Sequence, residues 1–264
     1  MNDCVRATRE NCSSVYKQKF GRLPVMINRN FGKISGVVFG LFSGIVFAGP
    51  TIIPAPVDSL FVPTGFDDND NSEVIVAGMF PTACYKVGTS EAKLNSDTGE
   101  IEVIVNAYKY EGLCAQVLTP FLQSIRLGIL PSGEYTVRVK ETQLTDTVSV
   151  GKSRTSNPDD FLYAPVENAK IDESGVAQKL ILEGTYPYTF VGCALIREVK
   201  VIHKKADILE VLPVMDLIND ERCIRDGNEF KFEYKLADKL VGKNLVHVRV
   251  LNGQSFNRLV NIAK

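Results

Sequence analysis

The sequence predicts an all-β protein of two tandem β-sandwich domains, each closed by one disulfide, behind an N-terminal export signal. Three observations carry that expectation. A Gly–aromatic–Pro–Cys pattern occurs twice, as Gly78, Phe80, Pro81, Cys84 and as Gly184, Tyr186, Pro187, Cys193. A further cysteine follows each copy 30 residues on, Cys114 in the first and Cys223 in the second. Apolar and polar residues then alternate with the period of two that belongs to strands, and no long stretch carries convincing helical spacing.

The N-terminal segment differs in character from the rest. Residues 1–48 hold seven basic side chains and two acidic ones, a net +5 that leaves the remainder at −6. A mildly acidic body lacks the basic face that nucleic-acid phosphates require, so no nucleic-acid partner is expected. The basic residues precede Ile34 to Ala48, an uncharged apolar run of 15. As a helix it would reach about 22 Å, short of the roughly 30 Å hydrocarbon core. Basic flank, short apolar run and the small residue Ala48 together read as a secretory signal cleaved after Ala48. Gly36, Gly40 and Gly44 form a stripe that could pack membrane helices, so an uncleaved signal is the one route to a membrane. Met26 begins a more conventional signal, and Cys4 and Cys12 precede it. No cysteine sits at the cleavage point, so no lipid anchor is expected.

Export places Cys84, Cys114, Cys193 and Cys223 in an oxidising compartment, where cysteines pair rather than bind metal. The equal spacing selects Cys84–Cys114 and Cys193–Cys223 from the three connectivities. Each closed loop is worth about 3.5–4 kcal/mol by chain entropy. There is no C-x-x-C, and neither His203 nor His247 has a second zinc ligand nearby in sequence.

The repeat gives the domain boundaries: 57–152 for the first domain, 153–157 for a polar linker and 158–264 for the second. Asp58-Ser59-Leu60-Phe61-Val62-Pro63 aligns with Asp160-Phe161-Leu162-Tyr163-Ala164-Pro165. Val74-Ile75-Val76 aligns with Leu180-Ile181-Leu182, and Phe121 to Leu127 with Phe230 to Leu236. Val148 to Lys152 aligns with Val260 to Lys264. Self-similarity over this length means two units of one fold. Within the copies, Glu134 to Lys140 and Phe230 to Leu236 alternate without a break, giving strands with one buried and one wet face. Val246, Val248 and Val250 alternate with His247 and Arg249, and Asn252-Gly253 then supplies the positive φ angles of a hairpin turn. About seven short strands per hundred residues, punctuated by Gly, Pro and Asx, imply a sandwich.

Leu127-Gly128 through Gly133-Glu134-Tyr135-Thr136-Val137 resembles the final strands of immunoglobulin-like modules of exported bacterial proteins. The resemblance implies immunoglobulin-like β-sandwiches, and names no single family. The chain departs from antibody domains in having no Trp and a cysteine spacing too short for their inter-sheet bridge. Fold likeness of this kind carries no function.

Few residues point to chemistry. His247 is expected on the wet face of its strand beside Arg249, and His203, next to Lys204 and Lys205, at a solvated strand end. No nucleophile elbow, zinc-protease helix motif, phosphate loop or dinucleotide fingerprint occurs, so no catalytic residue is assigned and an enzyme is not expected. Asp67-Asp68-Asn69-Asp70-Asn71 resembles the calcium-binding linker of cadherins, which makes Asp67, Asp68 and Asp70 a calcium candidate and calcium the single cofactor candidate. Asx-rich turns also arise from local backbone bonding. The second copy carries three extra residues between Tyr186 and Cys193. Tyr186, Tyr188 and Phe190 are therefore the candidate contact loop for a protein or cell-envelope partner.

The expected protein is thus a non-catalytic binding or structural module of the bacterial periplasm or cell surface. The alternatives are a secreted protease inhibitor or outer-membrane assembly factor, and after those a secreted enzyme without a recognisable motif.

Overall fold

In the computed structural model, residues 49–156, 159–187, 193–218 and 228–263 are described. Among them the architecture is all-β, with no α-helix. The first lobe runs β1 (Thr51–Pro54), β2 (Val57–Phe61), β3 (Phe66–Asp67), β4 (Ser72–Phe80), β5 (Tyr85–Asn95), β6 (Glu100–Lys109), β7 (Thr119–Gly128), β8 (Gly133–Val139) and β9 (Thr145–Gly151). The second runs β10 (Val166–Asp172), β11 (Lys179–Thr185), β12 (Ala194–Lys205), β13 (Ile208–Leu217), β14 (Glu229–Lys235), β15 (Gly242–Val250) and β16 (Gln254–Ile262).

Each lobe packs two sheets face to face. In the first, the sheet β2-β4-β7 covers the sheet β1-β6-β8-β9-β3, with β5 also paired to β6. Val74 and Val76 of β4 meet Ile101, Val103, Val137 and Val148 of the facing sheet in a β-branched core. That residue class suits a half-buried pleated surface. In the second, β10-β11-β14 covers β12-β13-β15-β16. Leu180 and Leu182 there meet Leu209, Val211, Val246 and Val248.

The order of pairings recurs between the lobes. β4 lies antiparallel to β7 as β11 does to β14, and β6 lies parallel to β8 as β13 does to β15. The close contacts recur as well. At Gly78 a Cβ would overlap the Pro56 carbonyl oxygen and come within 2.6 Å of the Phe121 ring. At Gly184 it would overlap the Pro165 carbonyl oxygen and come within 2.7 Å of the Phe230 ring. Only glycine lets the backbone and the ring approach so closely. Tyr110 N–H donates to the Cys84 carbonyl, and Ile218 N–H to that of Cys193. These contacts correct one expected alignment: Pro165 matches Pro56, not Pro63. The aromatic-small-Pro likeness at residues 61–63 is a coincidence of strand composition, whereas the carbonyl of Pro56 or Pro165 has a definite job against a glycine.

Cys84 and Cys114 are disulfide-bonded, with Cα atoms 5.4 Å apart. The bridge ties the β4–β5 turn to the long β6–β7 loop. Cys193 is also disulfide-bonded. Cys223 lies outside the described residues.

The expected turn at Asn252-Gly253 joins β15 to β16, with φ of 66° and 61°. The expected wet face of β15 is not wet. Six consecutive residues, Asn244 to Arg249, are buried. Val246 and Val248 face the core of their own lobe, while Leu245 packs with Ile208 against Phe61, Ile75 and Ala77 of the first lobe. β4 is likewise buried on both faces. The sheets β2-β4-β7 and β12-β13-β15-β16 thus press together, and a third interior layer forms between the lobes.

Candidate functional site

That third layer holds most of the buried charge of the described residues. Its centre is Glu73, the second residue of β4, which is buried although it opens an apolar strand. Glu73 Oε1 accepts hydrogen bonds from Ser255 Oγ and, at 2.9 Å, from Asn257 Nδ2, both on β16. Asn257 Nδ2 also reaches Ser124 Oγ on β7 at 2.8 Å. Because the Asn257 amide donates to a carboxylate, its oxygen must face the other way, toward His247 Nδ1 at 2.7 Å. His247 Nδ1 therefore carries the proton, and Nε2 is the bare lone pair. Among the described residues that buried Nε2 has no hydrogen-bond partner.

Burial holds the His247 imidazolium well below the ordinary histidine range, despite the pull of Glu73 with Oε1 3.6 Å from Nδ1. The ring is neutral at pH 7. Phe66 of β3 meets it edge-on, with centroids 6.1 Å apart.

Two residues along β15, Arg249 fixes the other end of the layer. One Nη2 lies 2.6 Å from Asp70 Oδ1 and 2.7 Å from Asp159 Oδ1, and all three side chains are less than a tenth exposed. The guanidinium also sits over the rings of Phe66 and Tyr163, at 5.1 and 5.6 Å. Burial opposes its charge, but the two carboxylates outweigh burial and hold the group above the usual arginine range. Burial likewise pushes the Tyr163 phenol up to about 12.

A third buried contact, at Glu210 of β13, accepts from Thr64 N–H at 2.6 Å and Thr64 Oγ1 at 3.0 Å. Burial raises the Glu210 carboxyl, and the two Thr64 bonds partly offset it. At the rim, Lys205 meets Asp146 at 2.5 Å and Lys243 meets Asp58 at 2.9 Å, each pair crossing between lobes.

Beside Glu73 and His247 opens a cleft of about 230 Å³, edged by Asn71, Arg126 and Gln254. Ser255 donates to Glu73 and not to His247, so among the described residues no hydroxyl is paired with the imidazole lone pair in the manner of a nucleophile and its base. What the arrangement does is hold two lobes in one orientation.

Of the residues singled out in the sequence, His247, Arg249 and Asp70 belong to this centre. Asp70 is spent on Arg249, and its Oδ2 accepts the Asp67 N–H at 3.0 Å. Asp68 Oδ1 accepts the Ser153 N–H at 2.8 Å, which fastens the inter-lobe connection to the first lobe. Asp67 Oδ1 accepts the Asn69 N–H at 3.4 Å. Among the described residues no three His, Cys, Asp or Glu side chains converge as a metal site would need. Tyr186 was expected in a contact loop but is buried, tilted against Phe230 with centroids 4.7 Å apart. The correction has a plain cause: its ring fills the end of the second core, as Phe80 does in the first by stacking on Phe121. Tyr188 and Phe190 lie outside the described residues. His203 is exposed, with Nε2 3.3 Å from the Ala206 carbonyl.

Glu73, Asn257, Asp159 and Glu210 carried no motif. One signal was present: Val74-Ile75-Val76-Ala77 does not alternate, and an unbroken apolar strand is one covered on both faces.

Residues 74–150, from β4 through β9, match the family model described as the ORF11 beta-sandwich domain. No curated protein and no solved structure matches the chain.

Proposed function

We propose that this is an exported, non-catalytic binding or structural protein of the bacterial periplasm or cell surface, built from two tandem immunoglobulin-like β-sandwiches locked into one body. The observation that carries this is the fate of the ionisable side chains between the lobes. Glu73, Arg249 and Glu210 are each bonded to a partner in the other lobe, and Asn257, which holds Glu73, also holds His247 Nδ1. Rigid joining suits a protein that presents its ends and loops to something else. The recurring glycine–proline contacts support a duplicated unit, and the Cys84–Cys114 bridge supports an oxidising compartment.

Fractionation of the producing cell, with thiol alkylation before lysis, tests the proposal. The expected result is recovery outside the cytoplasm, with Cys84 and Cys114 protected from alkylation and an N-terminus at Gly49 or within a few residues of it. Cytosolic protein with both thiols alkylated would overturn it.

A further inference from the structure

The β6–β7 loop stands out on the surface of the first lobe. Leu113 is 107% exposed, Leu118 64% and Val117 52%, within six residues of one another. Isolated exposed apolar residues are ordinary, but three at the tip of one loop are not. The loop cannot fold them inward. Cys114 is bonded to Cys84, and Ala115 accepts a backbone hydrogen bond from Ala83 at 3.1 Å, so the loop is pinned in the conformation that displays them. Pinning also limits the conformational freedom that must be lost on binding. Tyr110 opens the loop, with Lys86 Nζ 5.4 Å from the centre of its ring. Exposed apolar side chains beside a tyrosine and a lysine are the residue types that meet acyl chains, interface and phosphate at a bilayer surface.

The course of the chain points to the same occupant. Thr51 is paired with Lys109, the last residue of β6 before this loop. The apolar run Ile34 to Ala48 ends three residues before Thr51, a reach of at most about 10 Å. Kept uncleaved as an anchor, the run brings the chain out of the bilayer within that reach of the Thr51–Lys109 pair, at the base of the β6–β7 loop. We propose that the loop 110–118 is a membrane-contact loop, seating Leu113, Val117 and Leu118 among lipid chains. This rests on the export reading for access to a bilayer. A vesicle measurement tests it separately, since a failure to bind lipid would leave the fractionation result untouched.

The chain contains no Trp, so Leu113→Trp installs a single reporter at the tip. Val176→Trp places the same reporter at another fully exposed site, in the β10–β11 turn of the second lobe. The protein as recovered from the producing cell is mixed with phosphatidylethanolamine–phosphatidylglycerol vesicles, with and without brominated acyl chains. The expected result is a blue shift and bromine quenching for Leu113→Trp and neither for Val176→Trp. In the otherwise unmodified chain, Leu113→Ser with Val117→Ser and Leu118→Ser is expected to lower vesicle partitioning of a cleaved form at least about tenfold. Three outcomes would overturn the proposal: an unchanged Leu113→Trp spectrum, equal shifts at both positions, or a concentration-dependent shift without vesicles. The last would make the loop a contact between copies of the chain.

Discussion

Replacing Arg249 by Met removes the one cation between two buried carboxylates while keeping much of the side-chain volume. Asp70 and Asp159 are 4% and 9% exposed, so neither can recover by turning into water. Breaking a buried ion pair by deleting one partner costs about 3–5 kcal/mol, most of it the stranded charge. The lost packing over Phe66 and Tyr163 adds to this in the same direction. For a chain of this size each kcal/mol moves the melting temperature by about 2–4 °C, so Arg249→Met is expected to melt roughly 6–20 °C lower. Differential scanning calorimetry at pH 7 measures it. If the stranded carboxylates cause the loss, neutralising them must restore part of it, so Arg249→Met/Asp70→Asn/Asp159→Asn should be more stable than Arg249→Met alone. A loss below about 1 kcal/mol, in the range of an exposed pair, would refute the reasoning. So would a triple variant no more stable than the single one.

Other consequences can be checked by denaturant unfolding. Gly78→Ala and Gly184→Ala should each lose about 1–3 kcal/mol, because the added methyl meets a proline carbonyl and an aromatic ring that cannot both retreat; a change within 0.5 kcal/mol, as roughly expected of a neutral surface site, would deny the close contact. The His247 pKa is depressed by burial, so the unfolded chain takes up its proton first as pH falls below the ordinary value of 6.5. Stability is then lost downward from that point, at up to about 1.4 kcal/mol per pH unit. His247→Gln should flatten the slope, and equal slopes would clear the histidine of any part in it. Cys84→Ser/Cys114→Ser opens a loop of 30 residues and should cost about 3.5 kcal/mol by chain entropy. Unaltered stability in the oxidised and serine forms would show that the bridge does not constrain the unfolded chain.

Sequence alone determined the local conformation of this protein. Period-two alternation marked the strands at 134–140 and 230–236, Asn252-Gly253 marked the turn between β15 and β16, and two cysteine pairs of equal spacing, each behind a glycine, marked the recurrence. Each of these is a local requirement of backbone or side chain, and so it is written in adjacent residues. Tertiary structure alone decided what covers each face. Alternation at 246–250 says that the two faces of β15 differ, not that the polar one meets another sheet. His247 and Arg249 read as solvated until Asp70 and Glu73, more than 170 positions away, close over them. Separation along the chain also hid the contacts of Asp70 with Arg249 and of Asp68 with Ser153, 179 and 85 positions apart. Tyr186 was misplaced for a related reason, since an aromatic beside an inserted loop looks alike whether it points outward or caps a core. A buried ion pair needs a partner only in space, and spatial neighbours drawn from opposite ends of a chain leave no pattern in its sequence.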